Sequence, residues 1–223
     1  MKQTDEVLGV KIVGGLKQAS TPWAGVSLFV ELFRRCGVDG VANKVLPAKG
    51  STKGLKPGQM VESFSLLSTL GGDCIEDMPH LRDDEGLSVL LGYRPPAPET
   101  ARQWLDRFDD ESMIVPLQGS FIPPESKPLA GLKEVRRRTI WAYVEAVHPG
   151  WEVTLDVDTQ LIETTKANAQ YCYEGYKAYQ SAEVSWSETM LVLGAWVTSR
   201  GPKLSAGRWM GMFISDFRSR KDS

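Results

Sequence analysis

At Pro149-Gly150 the spacing of apolar residues changes from a helical period to a strand period. Before this point apolar side chains recur at three- and four-residue intervals. After it, Val153, Leu155 and Val157 alternate with Thr154, Asp156 and Asp158. A helix repeats every 3.6 residues and a strand every 2, so the two halves cannot share one architecture. Helical segments followed by a run of strands predict a helical domain leading into an α+β or α/β domain. No internal repeat interrupts the order.

The helical half divides at its glycines and prolines. VLGVKIVGG near the N-terminus alternates weakly, as a strand would. Thr21 can cap a helix, with Pro22 at its first position and Gly37 closing it. Trp23, Val26, Val30 and Phe33 form its apolar stripe, with Phe29 beside it. Residues 38–56, rich in Lys and Gly, read as a loop. PGQMVESFSLLSTLGG starts the next helix, with Met60, Phe64, Leu67 and Leu70 on one side. Short helices are expected over 74–82 and 84–91, then a Pro-rich turn at 92–98 and a helix over 99–108. In this last helix Ala101, Trp104, Leu105 and Phe108 give one buried face. Residues 109–128 are polar and Pro-containing. A further helix begins near Ser126 and stops at Pro149-Gly150, with Leu132, Val135, Thr139, Ala142 and Tyr143 towards the core.

Beyond residue 150, WEVTLDVDTQLIE, YQSAEVSWSE and TMLVLGAWV read as strands, rich in Val, Trp, Tyr and Thr. The first raises a question. Period 2 sends Asp156 and Asp158 to the same face of what reads as a buried strand, and Asp is disfavoured in strands. Either the face is solvated, or it carries carboxylates on a rigid support for metal or catalytic work.

Bulk composition narrows the classes. The 223 residues suit one large domain or two small ones. Hydrophobic content of 42% and charged content of 24% are those of an ordinary soluble globular protein. A net charge of −2 exerts no global pull on nucleic acid, so DNA contact would need local patches. Cys36, Cys74 and Cys172 are widely spaced and odd in number, which argues for a reducing compartment. No stretch reaches the roughly 20 apolar residues of a membrane span, and the acidic N-terminus is not a signal peptide. The expected location is the cytoplasm.

Three blocks carry a resemblance, in order: LLSTLGGDCIEDMPHLRDDEGLSVLLG, PPAPETARQWLDRF and TLDVDTQLIETTKANAQYCYEGYKAYQ. Together they resemble the N-terminal half of a DDE-type transposase of a bacterial insertion sequence, the group with an RNase H-like catalytic domain. The resemblance runs from about residue 20 to about residue 193. It implies residues 1–150 as a helical DNA-binding domain and 151–193 as the first strands of a truncated RNase H-like domain. It also implies DNA strand cleavage and transfer with two divalent ions, Mg²⁺ or Mn²⁺, acting on element ends. A homo-oligomer is a possible working form. Two such ions clamp the attacking and leaving oxygens of an in-line displacement. In the family pattern the first catalytic Asp lies on the first strand, before a short polar residue. Asp158, followed by Thr159, matches it, and Asp156 stands second as a metal ligand.

The resemblance also makes the helix over 99–108 the second helix of a helix-turn-helix, after 84–91. Thr100, Arg102, Gln103 and Arg107 would then meet DNA, since Arg and Gln read guanine and adenine edges. The plainer alternative is a surface helix, because Glu99 and Asp106 cancel the two arginines. Lys133, Arg136, Arg137 and Arg138 form the densest basic run before the tail. They can neutralise phosphates or simply make a solvated helix face. Tyr171, Tyr173, Tyr176 and Tyr179 can stack on bases or pack. Lys177 beside them is a phosphate contact if the resemblance holds.

After residue 193 the resemblance fades. The second Asp and the Glu that such enzymes need are not found, and residues 194–223 are a basic tail without sustained period. This predicts an inactive transposase whose tail is out of frame or foreign. Three alternatives remain open: a non-catalytic DNA-binding remnant, a helical interaction module with no DNA role, and an enzyme completed by another chain that supplies the missing carboxylates.

Overall fold

The computed structural model describes residues 6–7, 10–11, 20–23, 25–49, 54–108, 126–147, 153–165 and 169–198. The chain divides into two compact units. One comprises Met1–Asp109 with Ser126–Ala142, the other Asp110–Glu125 with Tyr143–Ser223. The expected boundary at Pro149-Gly150 lies outside the described residues. So do the polar stretch 109–125 and the tail from 199.

The first unit opens with a short antiparallel pair, β1 (Glu6–Val7) and β2 (Val10–Lys11). Helices α1 (Val26–Arg35), α2 (Val38–Val45), α3 (Pro57–Thr69), α4 (Met78–Arg82), α5 (Glu85–Leu91), α6 (Pro98–Leu105) and α7 (Lys127–Val147) follow. Their core holds Val26, Val30, Val38, Ala42, Leu46, Met60, Leu66, Leu67, Met78, Leu81, Leu87, Leu91, Ala101, Trp104 and Val135. Start and stop chemistry matches the residues at α3 and α5, whereas α1 begins only at Val26, behind Gly25, so Thr21 and Pro22 lie outside it. Pro57 opens α3, and the Gln59 side chain accepts the Lys56 amide at 2.8 Å. Asp84 caps α5 by accepting from the Leu87 amide at 2.9 Å, and Gly92 ends it at φ +75°.

Helix α2 replaces the first part of the loop expected over 38–56. Gly37, at φ +69°, ends α1 and starts α2 at once, so no linker separates them. Val38, Ala42 and Leu46, four residues apart, bury its inner face. α2 then lies close on α3. A Cβ built on Gly58 would stand 2.7 Å from the Asp39 carbonyl oxygen. Across this contact the Asn43 Oδ1 accepts the Gly58 amide at 2.8 Å, satisfying a donor that the helix start leaves open.

Two buried-face assignments differ from expectation. Leu105 and Leu132 are partly exposed at 39% each, and Thr139 is exposed. In α7, Val135 and Ala142 are buried as expected, and Gly131 joins them in place of Leu132 and Thr139. Gly131 decides this rotation, because a Cβ there would sit 2.5 Å from the Val45 carbonyl oxygen. The helix turns its glycine towards α2, and Leu132 turns outward.

Buried polar chemistry joins α1, α3 and the segment after α5. Glu62, only 3% exposed, receives Arg34 Nε at 2.9 Å and the Tyr93 hydroxyl at 2.8 Å. Arg34 Nη2 also reaches the Leu91 carbonyl at 2.7 Å. Burial and the adjacent Glu62 carboxylate push the Tyr93 phenol well above its ordinary range. A buried charge needs such partners, because transfer from water is otherwise prohibitive.

The second unit contains an antiparallel sheet. Strand β3 (Leu155–Glu163) pairs with β5 (Lys177–Trp186), and β5 pairs on its other side with β4 (Gln170–Tyr171) and β6 (Leu191–Thr198). The three expected strands are present, with the short β4 added. A tight turn joins β4 to β5: the Gly175 amide donates to the Cys172 carbonyl, with Gly175 at φ +88°. Ala178, Gln180, Ala182, Val184 and Trp186 give β5 one buried face. The architecture is mixed helix and antiparallel sheet, an α+β arrangement.

Candidate functional site

Register fixes which side chains share a face. Leu155, Val157, Thr159 and Leu161 stand opposite Trp186, Val184, Ala182 and Gln180, on the buried side of β5. Asp156, Asp158, Gln160 and Ile162 stand opposite Ser185, Glu183, Ser181 and Tyr179, on the other side. The two aspartates therefore share one face, and both are exposed. β3 itself is not a buried strand. Its Leu155 and Val157 are half-buried, and none of its residues is fully buried.

Asp158 faces Glu183 directly across the ladder. Sequence reasoning missed Glu183, because only the register brings it beside Asp158. Opposed residues have Cβ atoms about 4.5–5.5 Å apart, and like charges so placed repel. Asp158 Oδ1 accepts the amide of Thr159, its own neighbour, at 2.8 Å.

The same face bears on metal binding. Mg²⁺ takes one or two carboxylates and fills its shell with water and phosphate oxygens. Asp158 and Asp156 could serve as such ligands. Two ions held for in-line displacement need a larger set of donors. Among the described residues no group of three or more His, Cys, Asp and Glu could hold a metal ion. The donors among the described residues do not fit the two-ion centre that the resemblance implies.

Tyr171 precedes the β4–β5 turn and Tyr173 lies within it; they are 72% and 83% exposed. Tyr176 instead donates to Glu174 at 2.8 Å, and this bond is the main cause that raises its phenol to about 12. Lys177 begins β5 opposite Tyr171, half-buried, on the same strand phase as Glu183.

In the helical unit two of the four candidate DNA readers, Arg102 and Gln103, are engaged with neighbours. Thr100, Arg102 and Gln103 are exposed on α6, and Arg107 lies half-buried in the 3-10 turn Asp106–Phe108. Arg102 pairs with Glu99 at 3.2 Å and also with Glu76. Gln103 Nε2 donates to Glu99 Oε1 at 2.9 Å. The residues connecting α5 to α6, Gly92–Ala97, are more than the three or four of a helix-turn-helix. α6 is anchored by Trp104, whose indole N–H donates to the Pro47 carbonyl at 3.0 Å. Trp104 also stacks on Phe64 and meets Phe108 edge-on.

The basic run on α7 is divided among partners. Arg137 Nε donates to Glu134 at 2.8 Å. Arg138 Nε donates to the Cys36 carbonyl at 2.7 Å, at the C-terminal end of α1, where a cation is favoured. Arg136 is half-buried and also has an interaction partner.

No helix among the described residues is long and apolar enough to cross a membrane. No family model, curated protein or solved structure matches the chain.

Proposed function

We propose that this chain is of DDE transposase lineage and binds DNA at element ends without cleaving it by itself. The observation that supports the reading most is the position of Asp158. It lies on the exposed face of the first strand of an antiparallel sheet, with Asp156 two residues before it, after a helical unit. The resemblance assigns this place to the first metal-binding carboxylate of an RNase H-like domain. Non-cleavage is the reading of the described residues, among which Asp156, Asp158 and the facing Glu183 form no group that could hold a metal ion, whereas in-line displacement needs two ions firmly placed. If DNA binds, Arg102, Arg107, Arg136, Arg137 and Lys177 are the candidate cations, and Arg102 and Arg137 would first have to leave their carboxylate partners.

A second reading is favoured by the ion pairs on α6 and α7. Arg102 and Gln103 are held by Glu99 and Glu76, and Arg137 by Glu134. In this reading the helical unit is an interaction module with no DNA role.

Binding to element-end and random duplexes over a salt series, with Mg²⁺ present and nicks scored, separates the two. The proposal expects preference for element ends, falling with salt, and intact DNA. No salt-dependent binding leaves the interaction module. Nicks that vanish in Asp158→Ala would refute non-cleavage.

A further inference from the structure

The outer face of α6 carries carboxylates that hold its candidate DNA readers. Glu99, Arg102, Gln103 and Asp106 recur at helical spacing on this face, and all four are exposed. Ala101 and Trp104 take the buried side. One carboxylate holds both readers. Glu99 Oε2 accepts Arg102 Nη1 at 3.2 Å, and its Oε1 accepts Gln103 Nε2 at 2.9 Å. The second terminal nitrogen of Arg102, Nη2, donates to Glu76 Oε1.

The two carboxylates differ in what explains them. Glu99 lies in the first turn of α6, where the helix end favours an anion and an i,i+3 partner is common. Nothing local places Glu76. It comes from a separate element, the 3-10 turn Ile75–Asp77, which packs against α6. Asp77 shapes that turn by accepting the Asp73 and Cys74 amides. The fold thus brings a second carboxylate to a guanidinium that already has one. Counting Asp106, three carboxylates stand at this face against the one guanidinium of Arg102. Such a face repels phosphate while its pairs are closed. Yet Glu76, Glu99 and Arg102 are all exposed, and an exposed ion pair shifts an equilibrium by no more than about fivefold. The arrangement is therefore weak enough to open.

We infer that Glu76 and Glu99 form an autoinhibitory clamp on α6, which lowers the affinity of this face for DNA until phosphate or a base edge displaces them. The inference rests on the DNA-binding reading proposed above. Displacement is an exchange of partners. The Arg102 guanidinium leaves two carboxylates for phosphate oxygens or guanine acceptors, and the Gln103 amide leaves Glu99 for an adenine edge. Salt screens the exposed clamp, so the inhibition is strongest at low ionic strength.

The test measures binding of the full chain to element-end and mixed-sequence duplexes by fluorescence anisotropy over a salt series. Glu76→Gln should raise affinity about threefold to fivefold at low salt, the worth of one exposed ion pair. Its salt dependence should steepen by about one in log–log slope, for the phosphate contact that Arg102 gains. The gain should vanish when Glu76→Gln is combined with Arg102→Gln. Glu31→Gln removes the same charge from an ion pair with Arg35 on α1 and should change little. An unchanged affinity for Glu76→Gln, or an equal gain for Glu31→Gln, overturns the inference while the wild-type chain still binds DNA. Binding by neither the wild-type chain nor any variant removes the DNA reading itself, and the inference with it.

Discussion

Gly40 and Gly58 offer the same substitution in two environments, and the structure assigns opposite signs to the outcome. Both lie within helices at negative φ, so alanine strains neither backbone. In a helix Ala is favoured over Gly by about 0.5–1 kcal/mol, mostly through the unfolded chain. At Gly40 a Cβ meets nothing within 4 Å, so Gly40→Ala keeps that gain. At Gly58 the Cβ would lie 2.7 Å from the Asp39 carbonyl oxygen and 2.9 Å from its Cα. These are backbone atoms of α2 and cannot rotate aside. Relief requires α2 and α3 to part by several tenths of an ångström, which also stretches the Gly58–Asn43 hydrogen bond. Overpacking of this kind costs about 1–3 kcal/mol. Less the propensity gain, Gly58→Ala should destabilise the helical unit by about 1–2 kcal/mol. Urea unfolding followed by tryptophan fluorescence reports it, since Trp104 is buried in this unit. The midpoint should rise for Gly40→Ala and fall for Gly58→Ala, with slopes unchanged. Equal shifts of the same sign would refute the close approach of α2 and α3.

Three further outcomes follow from the same coordinates. Arg34→Met leaves the Glu62 carboxylate buried with fewer donors, and should cost about 2–3 kcal/mol, below the full penalty because Arg34 is partly exposed. In a double-mutant cycle with Glu62→Gln, a coupling energy near zero would show that the pair is incidental. Met190, at φ 58° and 82% exposed, should give about 0.5–1 kcal/mol when replaced by Gly, because the left-handed turn strains a side chain that packs on little. Unchanged exchange of the neighbouring Leu191 amide would contradict this. Acidification should open the turn at Asp73–Asp77. The Asp73 and Cys74 amides donate to Asp77 and hold its carboxyl below the ordinary carboxylate range. A depressed folded-state value means that this stabilisation is complete above the unfolded pKa and is lost as pH falls through the folded one. Asp73 and Cys74 amide exchange should therefore quicken only at the acid end, and a flat profile would refute the assignment.

Much of the helical unit was legible because local chemistry sets it. Pro57 at the start of α3 and Gly37 after α1 mark ends that no neighbour needs to supply, whereas Thr21 and Pro22 offered a start that the folded chain places at Val26. α2 escaped notice because it is short, holds Gly40, starts directly after Gly37, and gains its stability from burying Val38, Ala42 and Leu46 against α3. The outward turn of Leu105 and Leu132 was equally hidden. An amphipathic stripe gives a face but not its rotation, and Gly131 against Val45 settled that for α7 through a contact of residues far apart in sequence.

The alternation in LDVDTQLIE by itself determined that Asp156 and Asp158 share a face, since a period of 2 is a property of the extended backbone. It did not determine which face is wet, or what stands opposite. Tertiary pairing decided both: the register with β5 placed Glu183 beside Asp158 and left β3 at the margin of the sheet, exposed along its centre. Likewise the sequence supplied Arg102, Gln103 and Arg137 as donors. Only the folded chain brought Glu76 to Arg102, a carboxylate from another element, because side-chain pairing across elements depends on distances that no local pattern encodes.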